Sequence, residues 1–186
     1  MGLFYFVFPA MIEGYNDASW MTSSSDNQFI SRWIFSHGGC AISWAFKKQT
    51  CNSHSTMESK FIDMATVGEK AKWLRNMSFD IKLWRQPMSI TSLYYNTEAT
   101  MSRAYSNIYN GKSRHISIWH GYIQELITNG VITIIYVRFV NNLADPLTKG
   151  LSINMVQKTT NGMELKPVIK DTGNRIPTLD QQEAYP

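Results

Sequence analysis

The spacing of apolar residues changes near residue 50, and that change constrains the fold more than any other feature of the chain. Before it, residues 28–37 (QFISRWIFSH) alternate, which puts Phe29, Trp33 and Phe35 on one face of an extended segment. Gly38 and Gly39 supply a tight turn, and residues 40–46 (CAISWAF) give another apolar run. With residues 11–20 (MIEGYNDASW) ahead of a Ser-rich turn at 21–27, this region reads as an antiparallel meander. After the change, Met57, Phe61, Met64, Ala65, Ala71 and Leu74 recur three to four residues apart. That spacing predicts an amphipathic helix over 55–76, capped by Ser55 or Thr56.

The remainder alternates between the two periods. A strand is expected at 88–95, a short helix at 97–109, and a helix at 114–128 striped by Ile118, Ile123, Leu126 and Ile127. The β-branched run 131–140 forms the last strand, and 141–150 turns into a final short helix. The order β-β-β-α-β-α-α-β-α implies an α/β fold in which helices cover a mixed sheet. Hydrophobic residues make up 44% and aromatics 13%, enough for a packed core that should include Trp33 and Trp44. Three segments are expected: a lead-in at 1–10, a folded domain at 11–167, and an open tail at 168–186 where the periodicity fades.

Several classes are disfavoured at once. The apolar start, Leu3 to Phe8, is too short to span a membrane and lacks the basic flank of a signal peptide. An intracellular protein, cytoplasmic or nuclear and not secreted, is therefore expected, with no membrane partner. Cys40 and Cys51 have no zinc-like spacing and read as free thiols without a disulfide partner. A net charge of +4 suits a polyanionic partner without requiring one.

Four polar residues share an unusual context. Asp17 is near the end of the first strand, Glu58 is in the first turn of the long helix, Asn96 follows the fourth strand, and Asp145 follows the last. Such positions converge in α/β sheets. Converging carboxylates repel unless a cation lies between them, and Mg²⁺ prefers such hard oxygen ligands. Taken singly, each residue is an ordinary turn or helix-start residue; the combination points to phosphoryl chemistry. The four side chains are expected to meet, with neighbours about 4 to 8 Å apart.

At these residues the sequence resembles the ribonuclease H domain of copia-type LTR retrotransposon polyproteins. The stretches EGYNDASW (13–20), GGCAISW (38–44), KKQT (47–50), STMES (55–59), KWLRN (72–76), YNGKSRHI (109–116) and ADPLTKGL (144–151) carry the likeness in order. The resemblance implies a ribonuclease H-like fold with a five-stranded mixed sheet. It also implies hydrolysis of the RNA strand of an RNA–DNA hybrid with Mg²⁺ or Mn²⁺, beside a reverse transcriptase in the ancestral polyprotein. Asp17, Glu58 and Asp145 match the family's catalytic, metal-binding carboxylates. The fourth is an Asp in the family and Asn96 here, in YNTEAT (95–100). A second departure is Lys60, where the family often has Glu.

Asn keeps the shape of Asp but loses its charge, so a weakened metal site and a crippled, degenerate copy are expected. Glu98 could be offered as a substitute ligand, yet its place in the next helix should point it elsewhere. Hybrid binding relies on phosphate contacts, for which Ser55, Thr56, Lys112, Arg114, His115 and Lys149 are the candidates. Equally, Ser55 and Thr56 can be simple caps, and 111–115 the solvated basic start of a helix. Three readings stay open: a weakened hybrid ribonuclease, a module that grips nucleic acid without cutting it, and a retroelement remnant without function.

Overall fold

The computed structural model describes residues 2–3, 11–20, 29–49, 55–81, 89–109, 114–144 and 165–166. Strands β1 (Ile12–Trp20), β2 (Phe29–His37) and β3 (Cys40–Lys48) form the expected antiparallel meander. Helix α1 (Thr56–Asp80) then leads to strand β4 (Thr91–Tyr95), helices α2 (Glu98–Tyr105) and α3 (Arg114–Thr128), and strand β5 (Ile132–Tyr136). The sheet order is β3-β2-β1-β4-β5, with β4 parallel to both β1 and β5. This is the mixed five-stranded sheet that the sequence implied. Gly2–Leu3 pairs antiparallel with Leu165–Lys166, away from that sheet.

The core lies between the sheet and α1 and α3. Phe35, Phe61, Met64, Val67, Leu93, Ile123 and Ile132 are fully buried in it. Gly14 sits where β1, β2 and β4 approach most closely. A Cβ there would lie 2.6 Å from Leu93 Cδ2 and 2.7 Å from Phe35 Cε1, so no larger residue fits without displacing both. Gly38 and Gly39 both have positive φ, 55° and 81°, as a tight β2–β3 turn demands.

Several expectations need correction. Trp44 is 63% exposed, because β3 is the edge strand of the sheet. Met57 and Ile118 also face outward: Met57 lies in the first turn of α1, and Ile118 falls on the side of α3 opposite the buried Ile116 and Ile123. Strand β2 is buried on both faces rather than one: Ile34 packs with Ala41 and Leu143 on the side away from Phe35. Strand β5 stops at Tyr136 because β4, its only ladder partner, ends at Tyr95. Helix α2 stops at Tyr105, where Ser106 turns its hydroxyl onto the backbone of Ile108. In place of the start of a final helix, Phe139–Asn141 form a 3₁₀ turn, and residues 145–150 lie outside the described residues. The same holds for residues 4–10 and for the tail at 168–186.

Cys40 is fully buried at the start of β3, and Cys51 lies outside the described residues. Among the described residues no helix is long and apolar enough to cross a membrane.

Candidate functional site

Strand register builds the site. Tyr15 of β1 is paired with Tyr94 of β4, and the two rings stack 4.6 Å apart. Two residues further along each parallel strand come Asp17 and Asn96, on the same face as that ring pair. Their side chains meet: Asn96 Nδ2 donates to Asp17 Oδ1 at 3.3 Å. The start of α1 supplies the third member. Ser55 caps the helix by accepting from the Glu58 backbone N–H at 3.1 Å, and a turn later Lys60 reaches back to the strand ends. Lys60 Nζ donates to Thr97 Oγ1 at 2.7 Å and to Asn96 Oδ1 at 3.1 Å, and stands 4.0 Å from Asp17 Oδ1.

A second polar cluster lies directly behind. Asn16 alternates to the helix side of β1 and donates to Asp63 Oδ2 of α1 at 2.5 Å, both residues being buried. Burial pushes the Asp63 carboxyl up to about 7, with the negative charge of Asp17 adding to the rise. Hydrogen bonding from Ser31 and Asn16 and the charge of Lys60 pull the other way. Asn142 donates to the Asn16 backbone carbonyl at 2.8 Å and accepts from the Ala144 N–H at 3.0 Å, which ties residues 142–144 to β1. Gln49 Nε2 bridges β2 and α1 by donating to Ser31 Oγ and to the Ser59 carbonyl, both at 2.9 Å. Beside that bridge a groove of about 210 Å³ is lined by Trp33, Lys47, Lys48, Gln49, Glu69 and Trp119.

Of the four residues expected to converge, Asp17 and Asn96 are in contact. Glu58 is half-buried in the first turn of α1, two residues before Lys60. Asp145, like Lys112 and Lys149, lies outside the described residues. Ser55 and Thr56 are exposed at the helix start, and Ser55 serves as the cap. Arg114 is exposed as the first residue of α3, with His115 next in that helix. In the sequence Lys60 stands out only as a departure, and Asp63, Thr97, Gln49 and Asn142 are not singled out. Asp63 is the legible one, a carboxylate set inside the apolar stripe FIDMA.

Among the described residues, this donor set does not fit the divalent-metal pair that the resemblance implies. The cation at the Asp17–Asn96 pair is an ammonium, and Asn96 brings no charge. Among the described residues, no three His, Cys, Asp or Glu side chains are grouped so as to hold a metal ion.

No family model matches the chain. It is 26% identical over 140 residues, 75% of its length, to the retrovirus-related Pol polyprotein from transposon TNT 1-94 of Nicotiana tabacum. To the Pol polyprotein from transposon RE1 of Arabidopsis thaliana it is 25% identical over 143 residues, 76% of its length. The chain spans 10% of the length of each of these curated relatives. In three dimensions it superposes on LC11 ribonuclease H1, solved in complex with an RNA/DNA hybrid, with a TM-score of 0.53 at 12% identity. That match covers 73% of this chain and 92% of the other. The chain thus has homologues among plant retrotransposon Pol polyproteins, and its fold is that of ribonuclease H.

Proposed function

We propose that the chain is a ribonuclease H-type module of copia-type ancestry, which grips RNA–DNA hybrids and whose hydrolysis of the RNA strand is impaired at Asn96. The supporting observation is the meeting of Asp17 and Asn96 at neighbouring parallel strand ends, with the start of α1 beside them. In this reading Asp17, Glu58 and Asp145 are the remaining carboxylates of a phosphodiester-cleaving centre, and Asn96 is its neutralised member. The Asn96 amide spends its donor on Asp17 and its acceptor on Lys60. Loss of a group that stabilises developing charge commonly lowers rates by roughly 10² to 10³. The Mg²⁺ or Mn²⁺ of an intact centre has a poor seat here, and no step is assigned to it.

Gripping depends on other residues. Phosphate contacts dominate hybrid affinity, and the exposed Arg114 at the start of α3 is suited to one. Lys112, His115 and Lys149 belong to the same proposal, as do the hydroxyls of Ser55 and Thr56 toward a phosphate or a 2′-OH. The groove lined by Lys47, Lys48, Trp33 and Trp119 offers positive charge and ring surface beside α1. A reverse transcriptase neighbour follows from the Pol relatives, of which the chain spans a tenth. One observation favours the non-cutting variant of this reading: the Lys60 ammonium already stands as counter-charge to Asp17.

A gel shift tests the gripping. An RNA–DNA hybrid should be retarded at low salt and released as salt rises, and Arg114→Ala should lower the log–log salt slope by about 1. Absence of retardation at low salt, with the chain folded, contradicts the proposal.

A further inference from the structure

Lys60 dictates how its neighbours are oriented. An ammonium has three N–H donors and no acceptor, so the Asn96 amide must turn its oxygen toward Lys60. That leaves Asn96 Nδ2 aimed at Asp17, where it donates at 3.3 Å. Thr97 Oγ1 closes the ring, accepting from Lys60 at 2.7 Å and donating to Asn96 Oδ1 at 3.1 Å. Each polar atom in the ring has a partner of the correct sense. A neutral amide suits position 96 because it faces a cation on one side and an anion on the other. Lys60 and Asn96 therefore satisfy each other.

Burial adds to the case. The Asp17 side chain is 7% exposed and that of Lys60 20%. A carboxylate so enclosed needs a counter-charge. Lys60 provides one on a tether, with no binding equilibrium to satisfy. A divalent ion seated at Asp17 would have to share the site with this ammonium, about one ion-pair distance away.

We propose that Lys60 is a tethered cation that replaces the divalent ion at Asp17, so that the folded chain does not recruit Mg²⁺ or Mn²⁺ there. The inference stands on these contacts and does not depend on hybrid binding; a chain that fails to bind hybrid leaves it intact.

Uptake of Mn²⁺ by the full chain, followed by the loss of the free-ion paramagnetic resonance signal, tests it. The wild-type chain should take up little. Lys60→Met and Lys60→Glu should each gain affinity on the order of tenfold or more, since removal of a like charge at this distance is worth at least that. In parallel, Mn²⁺ should raise the Tm of the variants and leave that of the wild type in place. Adding Asp17→Asn to Lys60→Glu should abolish the gain, which assigns it to this site. Should Lys60→Glu fail to fold, the nearly isosteric Lys60→Met carries the comparison. Wild-type uptake as tight as that of the variants overturns the proposal, and so does wild-type-like uptake by the folded variants.

Discussion

Asn16 and Asp17 are neighbours on β1, yet they open onto opposite sides of the sheet and into polar clusters that follow different rules. Asn16 faces α1 and is locked to Asp63, with both residues 1% exposed. Asp17 faces the strand ends and meets Asn96 and Lys60 where solvent reaches the lysine. On the inner side, desolvation dominates: it lifts the Asp63 carboxyl and makes every lost partner costly. On the outer side, Asp17 is enclosed but Lys60 reaches solvent, and the sign of each charge decides what the cluster attracts. The two clusters are one residue apart, and the first is governed by desolvation while the second is governed by charge.

The largest effect should come from the inner cluster. Asn16→Ala strips Asp63 of one of its two hydrogen-bond partners, Ser31 being the other, and should cost about 3 kcal/mol at pH 8, measured by urea denaturation. A loss no larger than that of an outer-cluster variant would erase the contrast. Next comes pH. Asp63 is held at about 7 against an ordinary 3.8, so the fold retains a proton that the unfolded chain has released. Its stabilising contribution is complete below about pH 4, falls as pH rises, and is lost above about 7. The total is on the order of a few kcal/mol, at about 1.4 kcal/mol for each tenfold change in proton affinity. Asp63→Asn should flatten the stability profile between about pH 4 and 8 and leave the variant more stable than the parent at pH 8.

The outer cluster should respond weakly. Lys60→Met should cost about 1–2 kcal/mol, less than Asn16→Ala, because Lys60 is the partner that solvent reaches while Asp17 is enclosed. A change as large as that of Asn16→Ala would show that Lys60 belongs to the structural set. The smallest effect is that of Arg114→Ala, which should leave stability within about 0.5 kcal/mol while altering the salt dependence of hybrid binding.

Most of the fold was legible because period and burial agree. The alternation in 28–37 sets Trp33 and Phe35 in the same core as the helical stripe after Thr56, although Ile34 is buried on the other face of β2. Legibility failed where position in the sheet, rather than local pattern, decides exposure. Trp44 belongs to an apolar run, but that run is an edge strand. The core face of α3 runs through Ile116 and Ile123, and Ile118 falls on the opposite side of the helix. In the candidate site, the nearness of Asp17 and Asn96 followed from their shared place at strand ends. The reach of Lys60 across 36 residues to Asn96 had no local signature, because it depends on how α1 lies against the sheet. Asp145 adds nothing to this comparison, since it lies outside the described residues.

The decisive measurement is the rate of RNA-strand cleavage in an RNA–DNA hybrid by the chain and by the Lys60→Glu/Asn96→Asp double variant, at equal Mg²⁺ or Mn²⁺. The double variant exchanges the ammonium and the neutral amide for carboxylates, and should cleave faster by roughly 10² to 10³ or more. Equal rates for the two proteins, whether both fast or both absent, would contradict a nuclease centre disabled at these positions.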